Sequence, residues 1–328
     1  MKILIIGYGS IGKRHAANFK AAGHEVVLLR HSKENPNKDG FREYYSFEEA
    51  FAGKKTSGAI VCSPTSRHLP DVEELVSHRI PFLLEKPPAD SLKSTLSMEK
   101  LLRESNFTNY DIGFNLRQYP ALRFIKNFLL ELGPIYSARI AAGYYLPDWR
   151  KGIDYRDTSS ASRELGGGVH IELVHEIDYL LWFFGYPERV TGYVNKISNL
   201  EITTDDICAA ILKYRNGSIV ELHLDYLSHR YLRSCQIIAE NGNLEWDMNS
   251  GAVLSTMKGQ KTARQVFTLS PNYDFNDTYI VEMENFINVI QGKAEGTVSI
   301  SDAVETMRVT EAICVSSETE KWVYTKDV

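Results

Sequence analysis

The chain has 328 residues, with 37 Lys and Arg against 42 Asp and Glu and a formal net charge of −5 at pH 7. A 43% hydrophobic and 24% charged composition is that of an ordinary folded protein, and the slight negative balance excludes a broad attraction to nucleic acid or a membrane surface. The length allows two domains with a substantial core. Cys62, Cys208, Cys235 and Cys314 lie far apart with no CxxC, so they suggest neither a zinc site nor a disulfide framework. No apolar run is long enough for a bilayer, and the apolar start runs into glycines rather than a cleavage pattern. These features point to the cytoplasm.

The chain opens Lys2-Ile3-Leu4-Ile5-Ile6-Gly7-Tyr8-Gly9-Ser10-Ile11-Gly12. It reads as a buried strand, a glycine turn and the first turn of a helix over 11–22. Gly7 allows the tight turn, Gly9 lets the backbone approach a pyrophosphate, and Gly12 lets helix and strand pack closely. The free N–H groups near Ser10 and Ile11 then face the phosphates. Strands over 25–29, 59–62, 82–84 and 111–114 alternate with helical patterns over 69–78 and 91–104. The expected architecture is α/β, a doubly wound parallel sheet with ligands at the carboxyl ends of its strands. Those ends are 7–12, 30–33, 63–68, 85–88 and 115–117.

Arg30 ends the second strand, where an acid would hold the ribose hydroxyls of NAD. An arginine suits a 2′-phosphate instead, and Ser32 and Lys33 add a hydroxyl and a second cation. The expected cofactor is NADP. If Arg30 only stacks on adenine, NAD is possible.

Beyond Arg117 the pattern changes. A helix over 120–131 leads to a strand over 135–145, a loop bearing Pro147, Trp149, Arg150 and Tyr155, the triplet Gly166-Gly167-Gly168, and a helix to about Phe184. Strands over 189–196, 207–214, 218–227 and 232–240 follow, with Asn216-Gly217 as a type I′ hairpin signal. Helices return over 277–291 and 302–319. The expected domains are 1–117, dinucleotide-binding, and 118–328, with a large, mostly antiparallel open sheet.

Two places offer proton and carbonyl chemistry. Lys86, in Glu85-Lys86-Pro87-Pro88, leaves a buried strand, and an ammonium there can orient or protonate a carbonyl oxygen. Its bond to Pro87 is a candidate for the cis form. Glu172 and His175 stand i and i+3 on the helix after the glycine triplet and share a face. His175 is the natural proton carrier, and Glu172 would orient it and stabilise its charged form. The ordinary alternatives are a surface lysine and a solvated helix face. Metal readings are poor: Glu172-x-x-His175 has no second copy, the order fails HExxH, and no GxSxG elbow is present.

GYGSIGKRH at the start, EKP after the fourth strand and a GGG-led helix ending in HxxD together resemble the Gfo/Idh/MocA family, over essentially the whole chain. The resemblance implies a Rossmann domain followed by an α/β domain whose open sheet mediates homodimers or homotetramers. It also implies reversible NAD(P)-dependent oxidation of a secondary alcohol, most often on a sugar. Lys86 and His175 match the family's catalytic lysine and histidine. Ser63-Pro64-Thr65 with His68 resembles its cofactor-contacting loop, and Glu85 and Lys86 join it; Thr65 stands where Asn is common. Glu172 stands where Asp is usual, and Val174 where Gly is usual. Arg117, Tyr145, Trp149, Arg150 and Tyr155 are candidate substrate contacts, aromatics for sugar faces and arginines for an anionic or nucleotide-linked sugar. The rival readings are a non-catalytic sensor or scaffold that binds the cofactor, and a reductase of a non-sugar substrate such as an imine or a linear tetrapyrrole.

Overall fold

The structure is a computed structural model, and it describes residues 1–31, 33, 37–53 and 55–328. Its contacts divide the chain into two units, Met1–Asn115 with Phe275–Val304, and Leu116–Asp274 with Glu305–Val328.

The first unit starts with β1 (Lys2–Ile6), α1 (Ser10–Ala21) and β2 (Glu25–Leu29). It continues through β3 (Arg42–Tyr44), α2 (Phe47–Phe51), β4 (Gly58–Val61) and α3 (His68–Ser77), then β5 (Phe82–Glu85), α4 (Leu92–Glu104) and β6 (Tyr110–Gly113). The strands form one parallel sheet in the order β3-β2-β1-β4-β5-β6. β1, β4 and β5 are buried at every position, which is why they read as apolar runs rather than alternations. The order reverses between β1 and β4, the switch point where such sheets take a dinucleotide. β3 and α2 were missed, being three and five residues long with mixed polarity; the Ser46-x-x-Glu49 cap of α2 was the signal available.

The second unit holds α5 (Pro120–Leu132), β7 (Ile135–Gly143), α6 (Val169–Glu172) and α7 (Val174–Phe184). The strands β8 (Arg189–Asn195), β9 (Ile207–Lys213), β10 (Ile219–Asp225) and β11 (Leu232–Ala239) follow, then β12 (Gly242–Asp247), β13 (Ala252–Met257) and β14 (Arg264–Thr268). With β15 (Val323–Tyr324) they form a nine-stranded sheet, β14-β13-β12-β11-β7-β10-β9-β8-β15. Every pairing is antiparallel except β7 with β10. The β10 and β11 burial patterns alternate strictly through Leu224 and Ala239, the mark of a sheet with one covered face. The β9–β10 hairpin is not the type I′ turn expected. The Gly217 N–H donates to the Tyr214 carbonyl, Gly217 sits at φ +92, and Asn216 is not among the non-glycine residues with positive φ. A type I turn followed by a left-handed glycine leaves Asn216 free to accept from Ser218.

Then the chain returns. α8 (Asn276–Ile290) belongs to the first unit, and α9 (Ile300–Thr319) crosses the division at Val304. Met283, Phe286 and Val289 of α8 share a core with Ile3, Ile5, Phe19, Leu28, Ile60 and Leu83. Residues 275–304, assigned by the sequence reading to the 118–328 domain, therefore complete the parallel-sheet unit. Their apolar stripe says that α8 is amphipathic but not which sheet it covers. Among the described residues, no helix is long and apolar enough to cross a membrane.

Candidate active site

The first unit presents a glycine turn shaped by close approach. A Cβ on Gly7, at φ +88, would lie 2.5 Å from the Cys62 carbonyl oxygen, and one on Gly12 would lie 2.1 Å from the Gly7 oxygen. A Cβ on Gly9 would meet nothing within 4 Å. α1 begins there with no side-chain cap and no acidic residue in its first turn. Ser10 is exposed, so the first N–H groups and positive end of α1 open at Ser10 and Ile11 with no acidic side chain in the helix's own first turn. This is the chemistry a pyrophosphate needs, and the residues present fit a dinucleotide.

Arg30 is held rather than loose. Its Nη1 donates to Glu43 Oε1 at 2.9 Å, and that carboxylate also accepts from Tyr45 Oη and from Asn37 Nδ2, each at 2.6 Å. These bonds, Tyr45's first, hold the Glu43 carboxyl down at about 2. Lys33 places Nζ 5.2 Å from the centre of the Tyr45 ring. Two cations therefore flank the end of β2. Ser32 lies outside the described residues.

The loop after β4 is braced from within. The Ser63 hydroxyl donates to Asp71 at 2.6 Å. His68 is buried, with Nδ1 2.9 Å from the Pro87 carbonyl and Nε2 3.0 Å from the Ser63 carbonyl. Burial lowers its pKa, against the pull of those two carbonyls. The Ser63 and His68 side chains are engaged within the unit, where their polar groups tie the loop to α3 and to the Lys86 turn. Pro64 and Thr65 remain at the loop's surface, Thr65 opening a short 3₁₀ turn through Arg67. The Glu85 side chain turns inward likewise. It is buried and lies 2.6 Å from His15 Nε2 on α1. Lys86 itself is half-buried, and its peptide bond to Pro87 is cis.

In the second unit the helix expected to carry both Glu172 and His175 is broken. α6 ends at Glu172, α7 starts at Val174, and Leu173 between them sits at φ −98, ψ 30. The i, i+3 relation does not set the geometry of that pair. Two buried ion pairs instead anchor the start of α7. Glu176 lies 2.7 Å from Arg233 Nε of β11, and Asp178 takes Arg117 Nη2 at 2.7 Å. Arg117, expected to touch substrate, is thus part of the fold. His175 stands between the break and these anchors, 9% exposed.

Glu172 accepts from the Ser160 hydroxyl at 2.7 Å. Ser160 packs with Trp149, Arg150, Tyr155 and Thr158 around one crevice that has no room for a water molecule. Three of the aromatic and cationic residues singled out for substrate therefore gather beside the Glu172 partner. Trp149 Nε1 donates to the Tyr144 carbonyl, its ring set edge-on to Tyr226; the Tyr155 hydroxyl accepts from the Glu201 N–H. Tyr145 stacks on His229, with ring centres 4.4 Å apart.

Asp205 was invisible to the sequence reading. Its carboxylate accepts from the Val169 N–H at 2.8 Å and sits 2.9 Å from His170 Nδ1, so it caps α6 with charge of the favourable sign. Gly168, at φ +140, lets it in: a Cβ there would lie 2.7 Å from Asp205 Oδ1. Burial is the largest single influence on His170 and opposes its charge, but the hydrogen bonds and charges of Asp205 and Cys314 together outweigh it and hold the imidazolium up to about 10. Ser160, Asp205 and Tyr226 carry no motif, and only the fold brings them to the glycine triplet.

Two family models of the Gfo/Idh/MocA group match the chain. One, described as the NAD-binding Rossmann fold of an oxidoreductase family, covers residues 1–112; the other, its C-terminal alpha/beta domain, covers residues 130–325. An inositol 2-dehydrogenase of Rubrobacter xylanophilus is 20% identical over 330 residues, 95% of this chain and 89% of its own. A D-xylose 1-dehydrogenase (NADP(+)) of Haloferax volcanii is 22% identical over 280 residues, 84% of this chain and 82% of its own. A solved levoglucosan dehydrogenase in complex with NADH superposes with a TM-score of 0.85 at 17% identity, covering 99% of both chains.

Proposed function

Because the chain belongs to the Gfo/Idh/MocA family of oxidoreductases and carries its NAD-binding Rossmann domain, we propose that it moves a hydride between NADP(H) and a secondary alcohol or ketone carbon of a sugar or polyol. The observation that carries the cofactor half is the uncapped, acid-free start of α1 above Gly9. The backbone from Gly7 to Gly12 would hold the pyrophosphate. Arg30, with Lys33, would hold the 2′-phosphate, and Thr65 and Lys86 would line the way to the nicotinamide. NADP, when bound, supplies the hydride acceptor or donor.

The chain's own groups handle the proton and the developing charge. His175 takes the hydroxyl proton during oxidation and returns it during reduction. Lys86 stabilises the oxygen as it becomes an alkoxide. Glu172, aimed by Ser160, holds the charged form of His175. Trp149 and Tyr155 suit a sugar face. With Arg117 committed to Asp178, the preference for an anionic or nucleotide-linked sugar rests on Arg150. Tyr193 on β8 and Ile211 on β9 lie on the exposed face of the second sheet, and this face would join subunits into a homodimer or homotetramer, read by light scattering. Four free thiols suit a reducing, cytoplasmic setting.

The test is turnover of NADP⁺ and NAD⁺ against a panel of neutral and acidic sugars and polyols, with Lys86→Ala and His175→Ala alongside. Each variant should lose about 10²–10⁴-fold in kcat while still binding NADPH. Tight NADPH binding without turnover of any panel member would replace the enzyme with a sensor or scaffold. Undiminished turnover in both variants would refute the residue assignments.

A further inference from the structure

Three buried polar side chains of the first unit converge behind Lys86, and the mechanism above uses none of them. His15 on α1 is 0% exposed, Glu85 at the end of β5 is 7%, and Glu282 on α8 is 3%. One nitrogen or oxygen from each lies within 4.8 Å of the others. Such a His–Glu–Glu set could suggest a metal, but the separation of His15 Nε2 and Glu85 Oε1 argues otherwise. At 2.6 Å it is a short hydrogen bond to a carboxylate, whereas two ligands of one tetrahedral ion stand about 3.3–3.4 Å apart. The cluster holds protons.

Glu282 faces acids. Burial first, then the Glu85 and Asp111 charges, push its carboxyl well above the usual range. Burial raises the Asp111 carboxyl too, against the hydrogen bonds it accepts from the Ile112 and Val298 N–H groups. Glu282 thus favours the neutral acid, which has a proton to donate where a carboxylate has none. The other walls around Glu85 are fixed as well. Tyr279, one turn earlier on α8, sets its ring edge-on to His15, 5.6 Å between centres. Gly113 of β6 pairs with Glu85, and a Cβ there would lie 3.4 Å from the Glu85 Cδ.

We propose that Glu282 and His15 are positioning residues for Lys86: His15 bonds the Glu85 side chain from α1, Glu282 stands within 4.8 Å on the α8 side with its Oε2 unpartnered, and together they fix the peptide from which Lys86 departs. The proposal rests on Lys86 as the group that meets the substrate oxygen. It explains why a helix from late in the sequence brings an acid into the dinucleotide unit, where a leucine would pack at lower cost.

The experiment uses the full chain with NADPH bound. Glu282→Gln keeps the shape and neutrality of the protonated acid; Glu282→Leu keeps the volume and removes the polar group. The leucine variant should lose about ten- to hundredfold in kcat, the scale of a small misplacement of a reacting group. Its sugar KM and NADPH Kd should stay near wild type, and the glutamine variant should recover most of the kcat. A second arm needs no sugar. Lys86 is tagged by reductive ¹³C-methylation, and its resonance is assigned by its absence in Lys86→Arg. The pH titration of that resonance should move in Glu282→Leu and return in Glu282→Gln. Equal kcat losses in both variants, tracking thermal stability, or an unmoved titration in a folded leucine variant would overturn the proposal. If no sugar turns over, the proposed function fails while the ¹³C arm still decides this inference.

Discussion

Arg117 Nε reaches both carboxylate oxygens of Asp178, at 3.2 and 3.0 Å, and Nη2 reaches one of them at 2.7 Å, with the two side chains 8% and 0% exposed. A fork this well made belongs to the fold, and it ties the segment after β6 to the helix bearing His175. Removing one partner leaves the other as an uncompensated buried charge. Asp178→Ala should therefore destabilise the second unit by about 3–5 kcal/mol. All four tryptophans, Trp149, Trp182, Trp246 and Trp322, lie in that unit, so tryptophan fluorescence during urea unfolding reads the loss. A change below 1 kcal/mol would mean that the pair is dispensable.

Two neighbouring glycines should separate binding from folding. Gly9 has φ −78 and ψ −164, which alanine adopts, and open space at its Cβ. Gly9→Ala should leave thermal stability unchanged and raise the NADPH Kd about tenfold or more, by blocking the approach of the pyrophosphate. Gly12→Ala drives a methyl to within 2.1 Å of the Gly7 oxygen and should lower thermal stability as well as raise the NADPH Kd. Fluorescence titration of NADPH and thermal melts check the pair of variants.

The Arg30–Glu43 bond bears on cofactor choice. If Arg30 holds a 2′-phosphate, Arg30→Ala should raise the NADPH Kd about ten- to hundredfold while NADH changes little, since only NADPH loses charge-assisted bonds. Equal weakening of both dinucleotides would leave Arg30 as an adenine contact and make NAD the cofactor.

His170 and Asp205 should give the second unit a pH signature. A histidine whose pKa rises to about 10 on folding binds a proton more tightly folded than unfolded. Its contribution is full below about pH 6.5, the unfolded value, and is lost as pH climbs toward 10. The stability gap between wild type and His170→Asn should therefore narrow across that window. A gap that is flat from pH 6 to 10 would remove the ion pair from the account.

Glycines and apolar runs made the first sheet legible, because Gly7, Gly9 and Gly12 have roles that no other residue fills and doubly covered strands need continuous apolar side chains. Lys86 and His175 stood out as candidates because they sit near strong punctuation, a proline pair and a glycine triplet. What stayed hidden depends on contact at long sequence distance. Nothing local to Arg117 announces Asp178, and nothing near His15 announces Glu282. The break at Leu173 was hidden too, because an apolar residue between two helical stretches carries no breaker signal. The inward turn of the His68 and Glu85 side chains was hidden for a related reason: a polar side chain at a strand end can face a ligand or turn inward, and only the fold shows its buried partners.

The placement of α8 makes the nucleotide-binding unit discontinuous in time as well as in sequence. During synthesis its six strands emerge early, yet the face that Phe286, Met283 and Val289 cover stays bare until some 170 further residues have left the ribosome. A fragment ending near Asn115 should therefore be sticky and incompletely folded. Adding residues 275–304 as a separate peptide should restore its solubility and its grip on the dinucleotide.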